Sequence, residues 1–85
     1  MEQSRINIFL KAFAAVLRRE RRSRRLTQQE LARMAGKSVR YVSFLETNRH
    51  QPTLETLKLL SDALGLSVSS FLKKVEDEAE KSNVD

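Results

Sequence analysis

The sequence contains no cysteine and no tryptophan, and only two glycines, one proline, one tyrosine and one histidine. Without cysteine there are no disulfides and no thiolate metal sites, and a reducing compartment such as the cytoplasm fits that usage. The lone histidine, His50, has no clustered acidic partners, so it offers neither a metal-ligand set nor a catalytic base. A loop residue near phosphate is its expected use. No nucleophile–base pair, glycine-rich phosphate loop or metal-ligand spacing occurs, so an enzyme is not expected, nor a cofactor or a metal. No apolar run approaches the ~20 residues of a membrane-spanning helix. The short apolar stretch near the N-terminus follows a single arginine and leads to no cleavage site, so a signal peptide is not expected. Scarce glycine and proline, with few β-branched runs, favour an all-α fold.

What the chain has in quantity is charge, at 32% of its residues. At 85 residues it reads as one domain with a modest core and no room for a deep substrate cavity. The net charge of +5 is unevenly placed. Residues 1–50 hold 12 Lys/Arg against 4 Asp/Glu, a net of +8, whereas residues 51–85 hold 4 against 7, a net of −3. With a pI near 10.1, this asymmetry points to a polyanionic partner, with nucleic acid ahead of an anionic membrane. A membrane-surface role for the first helix fails on pattern, because its apolar stripe is needed to cover a core.

The chain is organised around Thr27–Asn48, TQQELARMAGKSVRYVSFLETN. Thr27 followed by Glu30 is a capping box, in which hydroxyl and carboxylate each satisfy a free backbone amide. Leu31, Ala32 and Ala35 supply a small apolar stripe, and Gly36 can end the helix in the left-handed region. Ser38 caps a second helix whose inner side is Val42 and Leu45. Small residues at 32 and 35 permit two helices to cross closely over so short a turn. Together these features spell a helix-turn-helix.

Around this unit the pattern predicts three more helices. The first runs from about Arg5 to Arg24, with Ile6, Phe9, Leu10, Phe13, Val16 and Leu17 on one stripe. It ends in RRERRSRR, more arginine than the helix dipole calls for. Part of that run is expected to meet phosphate or to pair within the chain. Thr53 caps a fourth helix, in which Leu54, Leu57, Leu59, Leu60, Ala63 and Leu64 make the expected central core element; Gly65 ends it. Ser67 caps a fifth, with Val68, Phe71, Leu72 and Val75 on one face. Residues 1–75 then form the domain, and 76–85 an acidic helix extension, helical through about Ala79 and frayed beyond.

Residues 26–72, with Leu26-Thr-Gln, Glu30-Leu-Ala, Ala35-Gly36, Tyr41-Val-Ser, Leu45-Glu46, Pro52-Thr-Leu54 and Leu64-Gly-Leu-Ser67 in order, resemble the DNA-binding domain of the phage repressor and Cro (Xre-type) family. The resemblance implies five helices, with the third in the major groove. Within the family the chain is similar in size, and in YVSFLETNRHQPTL, to short regulators that control restriction–modification operons.

Set on a helix with Val42 and Leu45 inward, Val39, Arg40, Ser43, Phe44 and Thr47 lie outward. The resemblance places base contacts on Val39, Arg40 and Phe44, with Ser43 beside them. Arg40 suits guanine; Val39 and Phe44 suit a thymine methyl. Phage members carry amides there, so the base sequence stays open, and Phe44 has the alternative of packing against Tyr41 or the turn. Phosphate contacts are expected from Thr27, Gln28, Lys37, Ser38, Tyr41, Asn48 and Arg49; the resemblance implies that Gln28 touches the backbone beside the N-terminus of the second helix, where free amides favour an anion. Asn48 also suits a left-handed turn. Arg21 sits one turn beyond Leu17, and the resemblance pairs it with Glu46; the alternative is that it reaches out to water.

The function expected is sequence-specific binding of double-stranded DNA and transcriptional regulation, as a homodimer on an inverted-repeat operator. The dimer is expected to use Leu66, Val68, Phe71, Leu72 and Val75, although these residues also suit a core. The alternative is a protein-interaction module, antitoxin-like or a bridging factor, with the acidic segment as its contact arm.

Overall fold

The computed structural model describes residues 2–82. Five helices follow one another: α1 (Glu2–Ser23), α2 (Gln28–Ala35), α3 (Val39–Glu46), α4 (Leu54–Ala63) and α5 (Val68–Ser82). No strand occurs among the described residues. Four of the five starts carry a hydroxyl cap. Thr27 Oγ1 accepts from Glu30 N, Ser38 Oγ from Tyr41 N, Thr53 Oγ1 from Thr56 N and Ser67 Oγ from Ser70 N, all at 3.0–3.1 Å. At α2 the box is closed, since Thr27 N donates to Glu30 Oε1 at 2.8 Å.

The four ends between helices share one geometry as well. A residue with positive φ is followed by an amide that bonds a carbonyl five residues back. These bonds run from Leu26 N to Arg21 O, Lys37 N to Ala32 O, Arg49 N to Phe44 O and Leu66 N to Ser61 O, at 2.8–3.2 Å. Glycine fills the left-handed position at Gly36 and Gly65, but Arg25 (φ 57°) and Asn48 (φ 61°) fill it at the other two. A Cβ at Gly36 would meet nothing within 4 Å, so the glycine answers to its backbone angle and not to space. Arg25 bears that conformation with a long side chain, at a cost of about 1–2 kcal/mol; nothing in the sequence marks it.

The core draws on every helix. Ala12, Phe13, Val16 and Leu17 come from α1, Leu31, Ala32 and Ala35 from α2, Val42 and Leu45 from α3, Leu57 and Leu60 from α4, and Phe71 and Val75 from α5. The Phe13 and Phe71 rings meet at 5.6 Å across α1 and α5. Four expectations are corrected here. Leu54 is 78% exposed at the first position of α4, outside the inward face, and Ile6 is half exposed near the start of α1. The core is thus shared among helices, with α1 and α5 spanning it, and is not centred on α4. Phe71 and Val75 are completely enclosed by their own chain, so they cannot serve as dimer surface, while Leu66, Val68 and Leu72 stay partly exposed.

The expected boundaries also shift. α1 begins at Glu2, and α5 continues to Ser82 because α1 runs beside it. Ala79 packs on the core, and Arg19 Nη1 donates to Glu78 Oε1 at 2.9 Å. Lys73 reaches Asp77 at 3.1 Å. Residues 76–82 are therefore part of the helix pair and not a free acidic arm. The expected fraying past 82 lies outside the described residues.

Two outcomes follow from this packing. Phe71→Ala should cost about 3–5 kcal/mol in chemical denaturation, whereas Leu54→Ala should stay within about 0.5 kcal/mol. In addition, the Thr27 amide holds the Glu30 carboxyl below its ordinary value. The stabilisation it lends is present above the unfolded-state pKa and is lost as pH falls through the lowered one. Thermal unfolding between pH 7 and pH 3 should accordingly be less acid-sensitive in Glu30→Gln, whose amide can still close the box.

Candidate nucleic-acid interface

The inner side of α3 is fixed by a polar anchor as well as by Val42 and Leu45. Arg21 and Glu46 are each only 8% exposed. Arg21 Nε donates to Glu46 Oε2 at 2.6 Å and Nη2 donates to Oε1 at 3.0 Å, a two-pronged fit of guanidinium to carboxylate. Its third prong, Nη1, donates to Leu26 O at 2.7 Å. Gln28 Nε2 adds a bond to Glu46 Oε1 at 3.0 Å. One carboxylate thus gathers the end of α1, the start of α2 and the end of α3. The hydrogen bonds to Glu46 raise the Arg21 pKa above its ordinary value, against the opposing effect of burial. Among the described residues no buried side-chain nitrogen or oxygen lacks a partner. The alternative that Arg21 reaches out to water does not apply.

The outer side carries a cluster of rings and cations. The His50 ring lies 4.9 Å from the Phe44 ring, edge to face, and 6.1 Å from Tyr41 in a stacked arrangement. Lys37 Nζ stands 5.9 Å above Tyr41. The Arg40 and Arg49 guanidiniums stand over Phe44 at 5.4 and 5.8 Å. The three cation-to-ring distances, from Lys37, Arg40 and Arg49, fall within the range in which a cation is drawn to a ring face. Beside them a groove between α1 and the turn after α3 is lined by Asn7, Leu10, Asn48, Arg49, His50 and Gln51.

Of the residues expected at bases, Val39 and Arg40 are exposed at the first turn of α3, whereas Ser43 and Phe44 are half-buried. Phe44 packs against the turn residue His50, as one of the two readings open for it has it, with two arginines over its ring. Of the residues expected at phosphates, Thr27 and Ser38 are exposed caps, and Lys37, Tyr41 and Arg49 belong to the cluster. Asn48 is exposed and holds the left-handed turn. Gln28 is half-buried, with its amide nitrogen turned onto Glu46.

Sequence reasoning missed two partnerships. His50 joins Tyr41 and Phe44 because the turn at Asn48 folds the chain back over α3. The other is Glu20, the only acid in the arginine run. It is buried against Arg24 Nη1 at 2.8 Å and lies 3.9 Å from Lys74 Nζ of α5. Its solitary position in that run was the available signal. The run thereby divides. Arg19, Arg21 and Arg24 pair within the chain, while Arg18, Arg22 and Arg25 have no ion pair among the described residues.

Comparison with known proteins agrees with this geometry. The family model described as "Helix-turn-helix" matches residues 17–71. The immunity repressor protein of Bacillus phage phi105 is 40% identical over 52 residues, covering 61% of this chain and 36% of the repressor. The chain spans between 36% and 64% of the length of the curated relatives it matches. The clp gene regulator ClgR of Corynebacterium glutamicum superposes with a TM-score of 0.83 at 31% identity, covering 88% of this chain and 80% of ClgR. A mutant of the restriction-modification controller protein C.Esp1396I superposes with a TM-score of 0.77 at 26% identity, covering 82% and 93%.

The Arg21–Glu46 anchor makes its own prediction. Either single replacement, Arg21→Met or Glu46→Leu, should cost roughly 3–5 kcal/mol, because it strands the opposite charge in the interior. The double replacement should regain much of that loss. A thermodynamic cycle of the four proteins measures the coupling, and additive single effects would remove the anchor's role.

Proposed function

The chain belongs to the helix-turn-helix family of DNA-binding transcription regulators, and from that premise we propose that it binds a specific duplex operator as a homodimer. The operator is an inverted repeat, and occupancy of it in the cytoplasm regulates transcription. This is a family of regulators and not of enzymes.

The observation that carries the proposal is the cluster on the outer side of α3. Lys37, Arg40 and Arg49 stand together around Tyr41 and Phe44, on a helix whose opposite side is locked by Leu45 and Glu46. Arg40 and Val39 at the first turn reach base edges, with Ser43 behind them. Lys37, Arg49, Asn48 and the Tyr41 hydroxyl meet phosphates. The N-terminal amides of α2 and α3, beside Thr27, Gln28 and Ser38, supply further anion contacts. Gln28 retains a second amide hydrogen for that purpose while its first goes to Glu46.

Two copies are needed because one recognition helix reads only a few base pairs. With Phe71 and Val75 committed to the core, the surface proposed for the dimer is Leu66, Val68 and Leu72. Two reading helices about 34 Å apart then match half-sites about 10 base pairs apart. The relation to the restriction-modification controller C.Esp1396I supports the same class of regulator for this chain.

Selection from a random duplex pool should return an inverted repeat. On that duplex Arg40→Ala should lose about 1–3 kcal/mol and relax the preference at one symmetric base pair, while Arg49→Ala should weaken all sequences alike. Leu72→Glu should sediment as a monomer, bind the repeat poorly and keep the steep salt dependence of non-specific binding. A wild-type protein that stays monomeric and binds one asymmetric site at full affinity would sink the dimer.

A further inference from the structure

A half-buried aromatic on the outer side of a reading helix invites a simple role, contact with a thymine methyl. Its surroundings indicate another. Phe44 lies one turn after Arg40 on α3, and the turn at Asn48 brings Arg49 back over the same ring. Both guanidiniums stand within 6 Å of its centroid, and the His50 edge closes on it at 4.9 Å. No carboxylate pairs with Arg40 or Arg49 among the described residues. The Phe44 ring is thus the contact that the two guanidiniums share.

We propose that Phe44 is a positioning residue, whose ring holds Arg40 and Arg49 in the places from which they meet DNA. Base selectivity then depends on a side chain that reads no base itself. The proposal rests on the reading of α3 as the recognition helix. Its physical basis is conformational. A free arginine samples many rotamers and loses that freedom when it grips a guanine edge or a phosphate. A ring face beneath the guanidinium removes part of the freedom beforehand, so less is lost on binding. The attraction of cation to ring needs no hydrogen-bond donor, which leaves the guanidinium N–H groups available to DNA. One ring also ties the base-reading side chain to the phosphate-gripping one, so the two engage in a fixed register.

The test uses the full chain and two labelled duplexes at one salt concentration: the duplex selected by the wild-type protein and a scrambled duplex of equal composition. Phe44→Leu should bind the selected duplex roughly tenfold more weakly, with less than about threefold change on the scrambled one. Phe44→Tyr, which keeps the ring face, should stay within about twofold of wild type. In an Arg40→Ala background Phe44→Leu should add little further loss of selectivity, because its effect passes through Arg40. Nitrogen relaxation at Arg40 Nε in the free protein gives a readout that a packing role would not move, with slower side-chain motion expected in wild type than in Phe44→Leu. Should Phe44→Leu fail to fold, Phe44→Met takes its place.

If Phe44→Leu keeps wild-type selectivity while Arg40→Ala loses it, the positioning role is wrong and the recognition helix stands. If Phe44→Leu loses selectivity and Arg40→Ala does not, the ring itself reads the base, which also overturns the proposal. If neither variant changes selectivity, the reading of α3 fails, and the proposal with it. Equal losses in Phe44→Tyr and Phe44→Leu would likewise overturn it.

Discussion

A buried carboxylate, Glu46, sets the geometry on which the rest of this molecule depends. It receives both sides of the Arg21 fork and the Gln28 amide, while the remaining Arg21 nitrogen closes the turn at Leu26. Three helices meet at that point, and the last residue of α3 is the one that is held. An ion pair removed from water adds little net stability relative to an apolar contact, but it tolerates few geometries. The apolar contacts of Val42 and Leu45 are non-directional. The two-pronged bond at the end of α3 is directional. The interior charge here fixes the direction of α3.

The outer side of α3 is ordered by a different means. There no buried charge is available, and the cations lie in water, where ion pairs contribute little. Order comes from rings instead. Tyr41 and Phe44 are one helical step apart on the outward side, and His50 bridges them after the chain reverses at Asn48. Lys37, Arg40 and Arg49 then rest on these rings. The site is thus a layer of cations over a layer of aromatics, above a helix fixed from beneath. The turn residue Asn48 matters because its left-handed backbone delivers Arg49 and His50 to the cluster.

Behind α3, α1 and α5 form the long side of the domain. Phe13 against Phe71 fills the seam, and charge is threaded along it. Buried Glu20 takes Arg24 and lies near Lys74, and Glu78 takes Arg19. The arginine run at the end of α1 is therefore not one feature. Its members point around the helix in turn, so some bind within the chain and Arg18, Arg22 and Arg25 do not. This seam also explains why the acidic end of α5 stays helical through Ser82: α1 and its cations lie alongside.

The sequence alone determined the elements that rest on local chemistry. Hydroxyl caps at Thr27, Ser38, Thr53 and Ser67, glycines at 36 and 65, and apolar spacing of three and four located five helices and the helix-turn-helix, because each signal acts within one turn of chain. The charge asymmetry indicated a polyanionic partner, and the order of family-like segments indicated the family. Tertiary structure decided what depends on pairs distant in sequence. A helical period places Val68, Phe71, Leu72 and Val75 on one side of α5, yet only packing against α1 and α4 separates the enclosed Phe71 and Val75 from the partly open Val68 and Leu72. Leu54 reads as core by residue type, but the first position of α4 turns it outward. Phe44 reads as outward, but the reversal at Asn48, carried by a residue without glycine's freedom, covers it with arginines. Burial and the direction of a side chain are set by neighbours that the local pattern does not contain.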